Sequence, residues 1–416
     1  MKMDQGEGER LVFDVETNGF LDVIDRIHCI VIQDLADGSF VRYNSQDPTG
    51  ARGISRGLAR LEIAKEIIGH NIIGFDLPAI KKVCPWFNTT AKIIDTLVLS
   101  RLIHTDMLGR DLSNPSNRVP KELLGRHSLE AWGHRLGEHK GESPVDWSRW
   151  SQDMEDYCVQ DVAVNTALYK LQLGRKYSQV SMDLENSFAD LMNKQTTHGF
   201  KFDVKAAEKL YVELLGKRIE AEAGLQEIFP PKEIKMKQPQ YWFTQYVYEG
   251  KAHRIQESTK VDVGQALRDR GLKSSRYDIE RGPVKVKLVP FNPGSTDQIA
   301  ERLIKKYDWA PTEYTDADVP KVKVTEEILS NLKYPEIPAL QLYLMVNKRI
   351  SQLAEGKTAW LKLVTDQGRI HGRINTNGAV TGRCTHSGPN MANVPASYSP
   401  YGSNCRELFI PSKGMS

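Results

Sequence analysis

The sequence predicts an α/β domain, then a mostly α-helical region, then a short closing run of strands and loops. Three observations carry this prediction. Residues 11–45 read as successive strands joined by short turns. From residue 177 the apolar residues recur at helical spacing over long stretches. From residue 369 the pattern breaks into short extended pieces between Gly, Pro and Asn.

The first strands are "RLVFDVET", "IHCIVIQDL" and "SFVRYN", rich in β-branched and aromatic residues. A helical stretch covers 54–66. "IIGHN" then leads to a helix start at "DLPAIKKV", with Pro78 just inside it. "KIIDTLVLSRLIH" is followed by "MLGRDLSNPSNRVP", read as a polar loop. Helical spacing resumes at "HSLEAWGHRLG" and at 151–174, and the α/β domain ends near 175. "LENSFADLMNKQTTHGF" closes on Gly199. "DVKAAEKLYVELLGKRIEAEAGLQEIF" starts at Asp203, an N-cap, and stops at Pro230 and Pro231. Residues 232–288 differ in character. They mix "QYWFTQYVY" with Lys232, Lys235, Lys237, Lys251, Arg254, Lys273, Lys285 and Lys287, and read as an insertion. Helices return at "STDQIAERLIKKY", "TEEILSNL" and "IPALQLYLMVNKRISQLAEGKTAWLKLV".

A chain of 416 residues has room for several domains. Hydrophobic content of 40% and charged content of 26% fit a soluble globular protein. The net charge of +3 does not by itself identify a nucleic-acid partner, so any such surface must be local. Cys29, Cys84, Cys158, Cys384 and Cys405 are odd in number and never at CxxC spacing. That excludes a zinc or disulfide framework and fits a reducing compartment. No apolar run is long enough to span a bilayer, and "MKMDQGEGER" lacks a signal-peptide core.

The informative feature is "LVFDVETNGF", residues 11–20. In a strand, residues i and i+2 share a face, so Asp14 and Glu16 stand beside Val12 while Phe13 and Val15 point the other way. Neighbouring carboxylates repel unless a cation or proton sits between them, and a hard dication with oxygen ligands satisfies them. Taken alone, such a pair is more often a strand end reaching solvent. "HNIIGFD" adds Asn71, Phe75 and Asp76 at a strand-to-helix junction, where Asp76 alone reads as a helix N-cap. "DYCVQDVAVNTALY" is helical, with Tyr157 and Asp161 four apart on one face beside Cys158 and Val162.

Together the three stretches read D-x-E, N-x-x-x-F-D and Y-x-x-x-D. This set resembles the three motifs of the DEDD superfamily of 3′–5′ exonucleases. The tyrosine marks the DEDDy branch; the histidine branch has His five before the last Asp, where this chain has Asp156. The resemblance implies a ribonuclease H-like fold and two Mg²⁺ ions, with Mn²⁺ as an alternative, about 4 Å apart. It assigns metal binding to Asp14, Glu16, Asp76 and Asp161, water orientation to Tyr157, and a further hydrogen bond to the 3′-OH to Glu16. Asn71 and Phe75 would contact the DNA end.

"DTLVLSRLIHTD" and "HSLEAWGHRLGEHKGE" are more specific. They resemble the proofreading domain of family A DNA polymerases from short-tailed phages, the group that recruits host thioredoxin. "GFKFDVKAAEKLYVELLGKRI" and "FNPGSTDQIAERLIKK" resemble that family's thumb. "NTNGAVTGRCTHSGPNMANVPASYSPYGSNCRELFIPSKG" resembles the entry to its palm, where Arg383 of T-G-R and Asn390 of P-N would reach the primer–template minor groove. The implied domains are a 3′–5′ exonuclease at 1–175, thumb helices at 176–231, a thumb insertion at 232–288, further thumb at 289–368 and the start of the palm at 369–416. The resemblance places a thioredoxin-like processivity factor or a DNA clamp at the insertion, and the protein in the cytoplasm of an infected bacterium.

The family's palm and fingers motifs, D-x-S-x-x-E-L-R, H-D-E and K-x-x-x-x-x-x-x-Y-G, do not occur in the sequence. The expectation is a split or truncated polymerase: a proofreading exonuclease whose DNA synthesis depends on a second polypeptide. A stand-alone RNA exonuclease and a non-catalytic accessory half are the competing readings.

Overall fold

In the computed structural model, which describes residues 8–114, 118–138, 146–412 and 414, the strand-like runs become β1 (Arg10–Thr17), β2 (Ile27–Asp34) and β3 (Phe40–Asn44). Next come α1 (Ile54–Ile63), β4 (Glu66–Gly69), α2 (Asp76–Val83), β5 (Lys92–Asp95) and α3 (Thr96–Ile103). The sheet order is β3-β2-β1-β4-β5. The β1–β2 and β2–β3 pairs are antiparallel, whereas β4 and β5 run parallel to β1. A parallel neighbour needs a crossover, and α2 supplies the one between β4 and β5.

Strand alternation divides the core into two layers. Leu11, Phe13 and Val15 pack with Leu58 and Leu61 of α1 and Ile80 of α2. Four further helices follow in the chain: α4 (Met107–Ser113), α5 (Leu129–Leu136), α6 (Gln152–Gly174) and α7 (Gln179–His198). Val12 turns to the opposite face of β1, where it packs with Ile68, Ile94 and Met154, Cys158 and Val162 of α6. Asp14 and Glu16 continue the Val12 face, so the pair points toward α6.

The chain divides into two compact units. One holds Met1–Phe202, Leu363–Pro395 and Phe409–Ser416; the other holds Asp203–Lys362 and Ala396–Leu408. In the first, Phe200–Lys201 pairs antiparallel with Arg369–Ile370, and Arg373–Asn375 with Thr385–Ser387. In the second, α8 (Val204–Ile228) begins at Asp203, whose side chain accepts from the Ala206 N–H as expected of an N-cap. Its core joins Leu225 and Phe229 of this region to Phe291, Ile299, Leu303 and Leu340.

Two local expectations change. Residues 107–113, read as loop, form α4, because Asp106 caps it by accepting from the Gly109 N–H and Met107 is buried. Residues 115–117 and 139–142 of the quoted stretches lie outside the described residues, as do Lys413, Met415 and Ser416. The stretch 337–364 is not one helix: Ile337–Ile350 runs into a wide turn at Ser351–Glu355 and stops at Gly356. A side chain at Gly356 would meet the Ser351 carbonyl oxygen at 2.5 Å. The 232–288 insertion folds on itself. Strands Trp242–Tyr248, Lys251–Glu257 and Glu280–Arg281 form a sheet under helix Lys260–Arg268, around Ile255, Val263 and Leu267.

Candidate metal centre

The β4 strand accompanies β1 only as far as Val12, which pairs with Ile68. Beyond that point this edge of β1 has no strand beside it among the described residues. The Val15 N–H donates instead to Asp76 Oδ1, at 3.3 Å. On its other edge β1 continues along β2, with Asp14 opposite Val31 and Glu16 opposite Cys29, and the register shifts between Glu16 and Thr17 before the last pair, Thr17 with Ile27. A strand that outruns one neighbour thus offers its carboxylates a gap that α2 enters with an acid.

Asp76 is not the N-cap expected from sequence. Phe75 holds that position without a side-chain hydrogen bond, and Asp76 is the first helical residue, 3% exposed. The preceding loop turns at Asn71, whose φ of 65° lies in the left-handed region that Asn tolerates. Its carbonyl accepts from the Gly74 and Phe75 N–H groups. A residue not singled out from sequence, Asp95, holds this loop. Its carboxylate is 1% exposed and accepts from the N–H groups of Asn71 (2.9 Å), Ile73 (3.1 Å), Leu97 (2.9 Å) and Val98 (3.4 Å). Asn186 of α7 accepts the Asp95 N–H at 2.7 Å.

The third contribution comes from α6. Its first turns are fixed by Glu155, 4% exposed, which accepts from Asn44 Nδ2 (2.7 Å) and Trp150 Nε1 (3.1 Å). Tyr157 is half-buried and meets the edge of Trp147 at 6.2 Å between ring centroids. The Trp147 carbonyl is in turn 3.1 Å from His28 Nε2. Cys158 and Asp161, i and i+3, follow on the face turned to β1. The Cys158 thiol donates to the Asp14 carbonyl oxygen (3.5 Å) and Oδ2 (3.6 Å).

Ligand atoms of Asp14, Glu16 and Cys158 all lie within 4.8 Å of one another. The group so defined does not include Asp76 and Asp161, but both are near enough to act on Glu16 by charge. Burial raises the Glu16 carboxyl well above the ordinary carboxylate range, and the charges of Asp14, Asp161 and Asp76 add to it. The Asp76 carboxyl is pushed up to about 7, chiefly by burial. The Val15 N–H opposes this shift, while the charges of Asp95 and Asp161 reinforce it. Glu16 is 7% exposed and, among the described residues, accepts no hydrogen bond and joins no ion pair. A buried carboxylate in that setting requires a proton or a cation.

These shifts give a pH prediction for the metal-free protein. Well below about pH 4 the Asp76 carboxyl is neutral folded or unfolded and has no effect on stability. As pH rises toward about 7 the unfolded chain ionises while the folded carboxyl keeps its proton, so stability falls through that window. Asp76→Asn should flatten the fall. Mg²⁺ should raise the melting temperature more at about pH 8 than at about pH 5.5, because the cation replaces the proton. Differential scanning fluorimetry across pH, with and without Mg²⁺, measures both.

The other sequence candidates divide. Asn71, exposed, and Phe75, half-buried, lie on the loop that delivers Asp76. Arg383 is exposed in a turn, with Nε donating to Thr381 Oγ1 at 3.3 Å. The Asn390 side chain accepts from the Ala392 N–H at 3.0 Å. Among the described residues neither Arg383 nor Asn390 contacts the acids.

Fold and site together define an α/β protein with a cluster of acids at the end of β1, where Glu16 and Asp76 are buried. Residues 269–416 match the model of DNA polymerase family A. It is 34% identical to the DNA-directed DNA polymerase of Escherichia phage T7, over 96% of this chain and 64% of that protein. The DNA-directed DNA polymerase of Enterobacteria phage T3 gives the same identity, 34%, with the same coverage of 96% and 64%. The chain therefore spans just under two thirds of the length of these relatives. The thermostable DNA polymerase I of Thermus filiformis is 25% identical over 66% of this chain and 32% of its own length. Among solved structures, the POL domain of Pol1 from M. smegmatis in complex with DNA primer-template and dNTP superposes with a TM-score of 0.60 at 14% identity. It covers 99% of this chain and 56% of that one, and the likeness is one of fold.

Proposed function

We propose that residues 1–175 form a ribonuclease H-like DEDDy exonuclease that removes nucleotides from DNA 3′ ends, and that the rest of the chain is the DNA-binding thumb and palm entry of a phage replicative polymerase. One observation carries the nuclease reading: Glu16, almost fully buried, has no hydrogen-bond donor among the described residues and stands among three other acids. The match to DNA-directed DNA polymerases over nearly the whole chain supports DNA as the substrate.

Asp14, Glu16, Asp76 and Asp161 would hold the divalent cations, Mg²⁺ or Mn²⁺. When bound, such cations supply positive charge for the attacking and leaving oxygens of an in-line phosphodiester cleavage. The chain's own residues do the rest. The Tyr157 hydroxyl orients the attacking water. Glu16 accepts from the terminal 3′-OH and so registers the end of the strand. Phe20, 80% exposed on the loop leaving β1, presents a face on which a terminal base can stack. Lys82 of α2 pins that loop, with Nζ 2.7 Å from the Leu21 carbonyl and 2.8 Å from that of Asp22.

Arg383 and Asn390 are assigned to the primer–template minor groove on the family resemblance. The folded insertion, with its lysines and aromatics, suits contact with DNA or a protein face; thioredoxin as its partner rests on the resemblance alone. DNA synthesis is assigned to the whole polymerase, of which this chain matches just under two thirds.

The test is nucleotide release from a labelled single-stranded DNA, together with primer extension. The expected result is Mg²⁺-dependent release from the 3′ end, loss of release in chelator, and extension only when the complementing part is added. A chain that extends primers alone, or that degrades RNA in preference to DNA, would overturn the assignment.

A further inference from the structure

The sulfur of Cys158 is not needed by the chemistry above, yet it lies among the centre's oxygens. It is fully buried and shares one compact group with ligand atoms of Asp14 and Glu16. We propose that this centre is also a site for a single thiophilic divalent cation of the Zn²⁺ or Cd²⁺ class, held by Asp14, Glu16 and the Cys158 thiolate. The proposal rests on the reading of Asp14 and Glu16 as metal ligands.

The geometry supports it in a way that an acid cluster alone would not. A tetrahedral ion with a metal–sulfur bond of about 2.3 Å and a metal–oxygen bond of about 2.1 Å sets its S and O ligands about 3.6 Å apart. The Cys158 Sγ to Asp14 Oδ2 separation is 3.6 Å. Glu16, buried and without a hydrogen-bond donor among the described residues, supplies the third ligand from within 4.8 Å of both atoms. All three ligands sit on rigid elements, two on β1 and one on α6, so the ion needs no loop to fold around it.

The consequence is a choice between two occupants. Hard cations use the oxygens and leave the thiol protonated. A soft cation recruits the sulfur, the thiol proton passes to solvent, and no oxidation or reduction occurs. Because Asp14 and Glu16 serve both, the soft ion excludes the hard one and arrests release. Cys29, on β2 opposite Glu16, packs in the same core layer as Cys158 and is a neighbour rather than a ligand in this scheme.

The experiment titrates the full chain, fully reduced, with Cd²⁺ and follows the thiolate-to-metal charge-transfer absorption in the ultraviolet, alongside calorimetry with Mg²⁺. The expected result is a band saturating at one equivalent in the parent and in Cys29→Ser. In Cys158→Ser and Cys158→Ala the band is lost, Cd²⁺ affinity falls roughly tenfold or more, and Mg²⁺ affinity changes less than about twofold. Zn²⁺ should inhibit Mg²⁺-supported release in the parent and do so far less in Cys158→Ala. A band that survives both Cys158 variants, or no band in a parent that binds Mg²⁺, overturns the proposal. Failure of the underlying site reading shows separately, as Mg²⁺ affinity unaffected by Asp14→Ala with Glu16→Ala.

Discussion

Replacing Asp14 and Glu16 together by alanine should lower nucleotide release from DNA 3′ ends by about 10³-fold or more. The magnitude follows from what is removed. Cations that stabilise the developing charge contribute several kcal/mol to the transition state, and each 1.36 kcal/mol is a factor of ten in rate. The same variant should fold normally. Both residues lie at the open end of β1, past the point where β4 stops, and the apolar anchors Leu11, Val12 and Phe13 are untouched. Its metal-free stability should even rise at neutral pH, because two mutually repelling carboxylates leave a poorly solvated site. Gel-based release assays and urea unfolding measure the two halves. Asp14→Asn with Glu16→Gln preserves the shape of both side chains and should lose release to a similar degree, which separates lost chemistry from lost packing. Either double variant, folded and degrading DNA as fast as the parent, contradicts the site.

Asp95→Ala should have the opposite profile, a loss of structure rather than of chemistry alone. Four N–H groups from two segments converge on this carboxylate: two from the loop that carries Asp76 and two from the first turn of α3. Leaving a buried donor unsatisfied costs about 1–3 kcal/mol, and losing a helix N-cap costs about 0.5–2 kcal/mol. The expected destabilisation is therefore about 3–5 kcal/mol, less than the sum because the freed groups will relax toward water. Hydrogen exchange should quicken at the Asn71, Ile73, Leu97 and Val98 amides first. Asp95→Asn keeps one acceptor oxygen and should fall between. An alanine variant within about 1 kcal/mol of the parent would show that the loop stands without this hub.

How far the sequence could be read depended on the range of the forces involved. Strand alternation is local, so the facing of Asp14 and Glu16 away from Phe13 was legible in "LVFDVET" and is seen in the split between the two core layers. The Asp203 cap, set by a side chain and a backbone three residues on, was legible for the same reason. Asp76, taken alone, was misread as a cap, because what claims its carboxylate is the Val15 N–H, 61 residues away in sequence. The α4 helix was hidden by the Gly and Asn around it, although Asp106 was in place to cap it. Asp95 and Cys158 were passed over for a related reason. A buried aspartate at a strand end looks like any N-cap, and a cysteine beside a tyrosine looks like packing, until the loop and strand they serve are folded against them. Their only local signals were an Asp-Thr step after "KII" and a polarizable atom one residue from Tyr157.

We propose that four acids on β1, α2 and α6 make a two-cation centre. Crystals of the chain soaked in Mn²⁺ and measured for anomalous scattering test it most directly. Two peaks about 4 Å apart are expected, bounded by Asp14, Glu16, Asp76 and Asp161, and lost in the Asp14→Ala, Glu16→Ala variant. Saturating Mn²⁺ with no anomalous peak among these carboxylates would contradict it.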